Sequence, residues 1–231
     1  DHTLPYFEWP KLPHPARVGC GAALDALDEA LDELGDRLLC LVVEPIGERS
    51  GLIIPSEFYA ALQERREDKG LRVSVCETVT GAFRNGYGSC FYVDSTELRA
   101  DQVWWYAGGQ LGVVFCADTT WVEKPLQLIS TWDGDELCMI RSAHHLRFAL
   151  RNQNAISQRA ALMSRMLSRI GGASALGLCG HIPVEDAAAA ESELAKLGVQ
   201  VRSSAAGITL LPPLSISADE LGRGINAIVA L

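Results

Sequence analysis

The sequence predicts an α/β fold: a parallel sheet with helices on its faces, followed by a small C-terminal α+β unit. Three observations carry this. Between residues 38 and 106, short apolar runs alternate with a helical segment across short links, the pattern of parallel strands. A long helical stretch then runs from about Asp135 to Ser168. Beyond "GGAS" (171–174) the order changes to strand, helix, strand, strand, helix.

Each element has a local reason. Residues 1–19, "DHTLPYFEWPKLPHPARVG", hold four prolines and scattered aromatics, so an extended arm is expected. "ALDALDEALDELGD" (23–36) repeats Leu or Ala at helical spacing and stops at Gly35. "LLCLVVEP" (38–45) is a continuous apolar run and reads as a strand buried on both faces. Pro55 and Ser56 open a helix that closes on Gly70. "LRVSVCETVTG" (71–81) and "ADQVWWY" (100–106) are the next strands, and "QLGVVFC" (110–116) follows directly after a glycine turn.

The long helix softens near Asn152–Asn154. Beyond it come a strand at 175–182, a helix at 184–197, strands at 199–203 and 207–211, and a helix at 217–231. The implied organisation is an arm (1–20), part of a large α/β domain (21–134), a connecting helix (135–170) and a small domain (171–231).

The chain has 231 residues, 48% hydrophobic and 21% charged, an ordinary globular composition. A mean hydropathy of +0.10 is slightly high. It fits either a well-filled core or a large apolar surface that a partner covers. The net charge of −9 argues against nucleic acid as a partner. No apolar run approaches membrane-spanning length, and no leader is evident, so no membrane partner is expected. Seven scattered cysteines, without a C-x-x-C pair or a His/Cys cluster, read as reduced thiols of a cytoplasmic protein with no metal site.

Several blocks, in order, resemble the class III (ornithine/lysine-type) pyridoxal-phosphate (PLP) aminotransferases. They are "YFEWPKL", "LLCLVVEPIGERSG" with "PSEFYAALQERREDKGLRV", "CETVTG" (76–81), "ADQVWWYAGGQLGVV", "STWDGD" (130–135) and "GITLLPPLSISADELGRGINAI". The resemblance runs nearly end to end. It implies the type I aminotransferase fold, as a partial large domain plus the small C-terminal domain.

The departures concentrate where the chemistry lies. The position of the lysine that holds PLP falls on Ala107 or Gly108, and neither has an amine. The carboxylate partner of the pyridine nitrogen falls on Cys76. Glu77 is one residue off and is expected to point to the other face of its strand. The arginine that grips a substrate carboxylate, just before the Pro-Pro pair, falls on Leu211. Family members are roughly twice as long, so the resemblance also implies that the loop and helix N-terminus cradling the phosphate lie outside this sequence.

Ser130, Thr131 and Trp132 are retained. In the family this turn reaches across the dimer and its threonine meets the phosphate of the neighbouring subunit's cofactor. A hydroxyl near a helix start equally suits a cap on the helix beginning near Asp135.

Other residues have blander readings. His144 and His145 diverge by about 100° on a helix and chelate poorly. Lys124 sits before a proline in a loop. Of Trp104 and Trp105 at most one faces a ligand. "GERSG" (47–51) reads as a plain turn, and Cys76 has no neighbouring His to activate it.

The expectation is a catalytically incompetent aminotransferase-like subunit. It binds no cofactor alone, and PLP enters only through a full-length class III aminotransferase partner (heterodimer or higher) or by self-association. The alternatives are a stand-alone enzyme with a remodelled site, or a non-enzymatic ligand-binding homodimer.

Overall fold

A computed structural model describes residues 9–106, 111–124 and 135–230. The arm carries one helical turn, α1 (Pro15–Val18), where an extended chain was expected. Pro15 sits at its start, where a missing N–H costs nothing, and the His14 ring accepts the Ala16 N–H at 3.1 Å. Helix α2 (Cys20–Leu34) follows and buries Ala23 and Leu27.

Strands β1 (Leu41–Val43), β2 (Val73–Cys76), β3 (Gln102–Tyr106) and β4 (Gly112–Cys116) form one sheet in that order, with α3 (Ser56–Lys69) between β1 and β2. The first three strands run parallel, and β4 returns antiparallel to β3. The register sets Cys76 beside Trp104 and Trp104 beside Val114.

Val43, Val73, Val75 and Trp105 lie on the core face, in one cluster with Phe58, Tyr59 and Leu62 of α3. On the opposite face Ser74 is buried at the centre, but among the described residues the outer strand β1 is exposed. Val42 is 43% exposed, and Leu39 just before the strand is 77% exposed. The run 38–45 is therefore a three-residue strand covered on one side, not a strand buried on both faces. Its apolar outer residues have no layer over them among the described residues.

Helices α4 (Glu136–Arg151) and α5 (Gln153–Leu167) are separated at Asn152, the soft break read from the sequence. The small unit comprises β5 (Ser174–Leu176), β6 (Cys179–Ile182), α6 (Ala187–Lys196), β7 (Arg202–Ser204), β8 (Gly207–Leu210) and α7 (Ala218–Val229). Its sheet is antiparallel in the order β5-β6-β8-β7. The single strand expected over 175–182 is a hairpin. Gly177, at φ +63°, permits the turn, and the Leu178 N–H is tied to the Arg84 carbonyl at 2.8 Å.

Both faces of this second sheet are covered. Gly180 faces Leu167 and Met163 of α5, and a β-carbon there would overlap both side chains. On the other face, the 47–51 turn approaches. Gly51, at φ +66°, is packed so close to His181 that a β-carbon there would overlap the ring. The Ser174 hydroxyl donates to the Gly51 carbonyl at 2.6 Å, and the Ser204 hydroxyl to the Arg49 carbonyl at 2.7 Å. The "GERSG" turn thus joins the two halves of the molecule. Among the described residues, no helix is long and apolar enough to cross a membrane, and all seven cysteines are free.

Candidate active site

The C-terminal end of the parallel strands is where α/β folds place ligands, because the following loops diverge there. Cys76 occupies that end of β2, half-buried, with its sulfur 3.6 Å from the Thr78 hydroxyl. Ser74, two residues earlier on the same face, donates to the Gln102 side-chain oxygen at 3.2 Å. The Trp104 indole N–H reaches the same oxygen at 3.4 Å. The result is a neutral floor of hydroxyl, amide, thiol and indole.

Glu77 is turned to the other side, as strand alternation requires, and is fully buried. Its carboxylate accepts the Thr80 hydroxyl at 2.6 Å and the backbone N–H groups of Tyr92 and Val93 at 2.9 and 2.7 Å. Burial pushes its pKa up, and these donors oppose the rise. Both oxygens are engaged in fastening the 92–93 segment to the end of β2. The carboxylate next in sequence to Cys76 is therefore committed to the backbone and side chain of its own loop.

Leu211 follows β8 and is partly buried against the core. The nearby guanidinium belongs to Arg84, a residue that sequence reasoning passed over. Its Nη1 donates to the Pro212 carbonyl at 2.6 Å and the Leu178 carbonyl at 3.2 Å, stitching the loop after β2 to the small unit. Burial draws its pKa down, and among the described residues no acid pairs with it. The only hint in the sequence was an arginine inside a glycine-flanked turn.

His145 is half-buried and meets the Trp105 ring edge-on at 5.7 Å, while His144 is exposed. Burial, and secondarily the Arg84 charge, lower the His145 pKa. Trp105 is buried and Trp104 lies on the opposite face, so the pair divides as expected. Lys124 is in an irregular segment. Among the described residues no group of three potential metal ligands gathers.

Ala107, Gly108, Ser130 and Thr131 lie outside the described residues. The cap of α4, however, falls to Asp135, whose carboxylate accepts the Leu137 and Cys138 N–H groups at 3.0 and 3.3 Å. The capping role considered for Thr131 is therefore already filled, four residues later, by a side chain of the right reach.

Tested against PLP, the groups at the end of β2 do not fit. A pyridine nitrogen requires a carboxylate partner, and among the described residues at the end of β2 the Cys76 thiol is paired to Thr78 while Glu77 is committed elsewhere.

No protein-family model matches the chain. Individual proteins do. The L-lysine-epsilon aminotransferase of Amycolatopsis lactamdurans is 24% identical over 98% of this chain and 57% of its own length. The glutamate-1-semialdehyde 2,1-aminomutase of Pyrobaculum calidifontis is 46% identical over 66 residues, 28% of this chain and 15% of its own. Among solved structures, the lysine aminotransferase of M. tuberculosis superposes with a TM-score of 0.85 at 21% identity, over 99% of this chain and 59% of that one. An omega-transaminase from Thermomicrobium roseum gives a TM-score of 0.79 at 19% identity, over 96% of this chain and 61% of that one. The chain thus spans little more than half the length of these lysine aminotransferases. The resemblance read from the sequence is borne out: the chain is similar to class III L-lysine-epsilon aminotransferase from end to end and carries the PLP-dependent aminotransferase fold.

Proposed function

We propose that this chain is a catalytically incompetent aminotransferase-like subunit that pairs with an active class III PLP aminotransferase and helps to complete or stabilise it. The observation that carries this reading is the end of β2. A thiol stands where the cofactor's electron-sink partner is needed, and the adjacent carboxylate is locked into the backbone of residues 92–93. Ala107 or Gly108 at the lysine position and Leu211 at the arginine position support the same reading. PLP, which supplies an electron sink when bound, then belongs to the partner. This chain's contribution is the Ser130–Thr131 hydroxyl pair toward that cofactor's phosphate. The Asp135 cap favours this role by relieving Thr131 of the competing one.

Two measurements test the proposal. Borohydride reduction of the isolated chain with PLP, followed by mass spectrometry, is expected to find no phosphopyridoxyl adduct on residues 100–125; an adduct on Lys124 would overturn incompetence. Titration of PLP into the mixed complex is expected to show Thr131→Ala weakening the partner's PLP affinity by about tenfold or more, as for a lost hydrogen bond to a charged oxygen. Unchanged affinity would remove the shared-site role.

A further inference from the structure

One cross-strand row of the small sheet converges on a single turn. Ser174, His181, Thr209 and Arg202 stand side by side across β5, β6, β8 and β7. Directly opposed residues of an antiparallel sheet share a face, and all four of these meet the 47–51 turn. The Ser174 hydroxyl donates to the Gly51 carbonyl at 2.6 Å and the Thr209 hydroxyl to the Glu48 carbonyl at 2.5 Å. The Arg202 guanidinium pairs with the Glu48 carboxylate. His181, the remaining member, packs so tightly on Gly51 that a β-carbon there has no room. Three members of the row hold the turn by donating to it, and His181 holds it by shape.

His181 is 4% exposed, and its Nε2 is sealed from solvent with no hydrogen-bond partner among the described residues. A protonated ring carries N–H on both nitrogens, so an imidazolium here buries a charge together with a donor that has no acceptor. The charged and titratable groups around it give no relief. On the turn, Glu48 is already paired with Arg202 of β7, and Arg49 and Arg202 are themselves cations. Glu44, at the start of that loop, accepts the Glu48 N–H, and burial pushes its pKa up. On β6 itself the Cys179 thiol is pushed up to about 12 by burial and stays neutral. In the row, β5 and β8 contribute hydroxyls alone, and α5 packs on the opposite face. Burial therefore draws the His181 pKa below the ordinary 6.5.

We propose that the 47–51 turn is an acid-released clasp: a proton added to His181 drives the turn off the small sheet and parts the loop after β1 from the small unit. The turn has room to move, because a cavity of about 630 Å³ lies between it and the β7–β8 hairpin, with Arg49, Glu191 and Ser203 on its walls. The neutral ring contributes its stability in full above pH 6.5, and that contribution is lost as pH falls from there toward the lower, folded pKa. Within that window opening becomes easier by up to about tenfold per pH unit, the limit for one proton. The clasp does not depend on the subunit pairing proposed above.

Two measurements test the clasp. NMR titration of the His181 ring in the unmodified chain is expected to give a pKa below 6.5, and a ring that titrates at or above that value overturns the proposal. Hydrogen exchange read by mass spectrometry, corrected for the intrinsic effect of pH on exchange, follows the turn itself. Residues 47–52 should open about five- to tenfold more readily near pH 5.5 than near pH 7, while the α5 segment 156–167 keeps its protection. His181→Phe keeps the bulk of the ring without the proton and should abolish that pH dependence; His145→Gln should leave it in place. If His181→Phe does not fold, His181→Gln takes its place in the same comparison. An unchanged pH dependence in the His181 variant overturns the proposal. Loss of α5 protection in step with the turn also overturns it, because the whole molecule is then unfolding and no local clasp is released.

Discussion

The two sheets of this molecule are built from the same number of strands and are finished differently. In the small antiparallel sheet every residue of β6 and β8 is buried, with α5 on one face and the 47–51 turn on the other. In the larger, mixed sheet β2 is buried toward α3 and Ser74 is buried on the other face too, yet on that face Val42 of β1 is 43% exposed and Val114 of the antiparallel β4 55% exposed. Usually the reverse holds: antiparallel sheets tolerate one wet face, and parallel ones do not. The difference teaches that, among the described residues, the central strands of the small sheet are covered on both faces, whereas the outer strands of the larger sheet keep a half-exposed apolar edge.

The adjacent tryptophans sharpen the comparison most. Trp105→Ala, beneath the core and against His145, should cost about 4 kcal/mol, whereas Trp104→Ala on the open face should cost about 1 kcal/mol in the isolated chain. Urea unfolding of both variants measures the gap, and equal losses would mean that the outer face is covered in solution.

At the small sheet, Gly177→Ala should cost about 3 kcal/mol, because its φ is +63° and a β-carbon would overlap the Arg84 carbonyl. Gly198→Ala, also at positive φ but facing open space, should cost only about 1 kcal/mol. A small loss at both would show that the hairpin is not clamped to the loop after β2.

Glu77→Gln places an amide among three donors and should cost about 2 kcal/mol, with faster hydrogen exchange at Tyr92 and Val93. Retained protection there would break the view that this carboxylate serves the backbone rather than a ligand.

The smallest effect concerns Asp101, at the start of β3. Burial alone would raise its pKa, but the Arg66 guanidinium, at 2.7 and 3.1 Å, and the Val73 N–H outweigh it and hold the carboxyl below its ordinary range. A depressed carboxyl contributes stability above its unfolded pKa and loses it as pH falls through the folded one. Asp101→Asn should therefore cost about 1–2 kcal/mol near neutral pH and progressively less in acid. Unfolding at a series of pH values reads this; a pH-independent difference would locate the contribution in packing.

Much was legible in the residues alone. Helical periodicity with glycine stops located α2 and α3, and the polar break at Asn152–Asn154 separated α4 from α5. Alternation along β2 was enough to turn Glu77 away from the place that Cys76 occupies, because adjacent strand residues point oppositely whatever surrounds them. Identity of the side chains at 76, 107, 108 and 211 needed no coordinates, since whether a group holds an amine, a carboxylate or a guanidinium is a matter of composition.

Burial, by contrast, belongs to the tertiary structure. An apolar run such as 38–45 is silent about whether a second layer exists to cover it, and Val42 proved exposed. The hairpin at Gly177 hid inside what read as one strand, because its turn is held by the distant carbonyl of Arg84. Arg84 itself acquires its place only when the loop after β2 and the Leu178 and Pro212 carbonyls are brought together. Periodicity and chemical identity are local and survive in the linear sequence; layers, turns and clamps depend on partners a hundred residues away, and only folding assigns those.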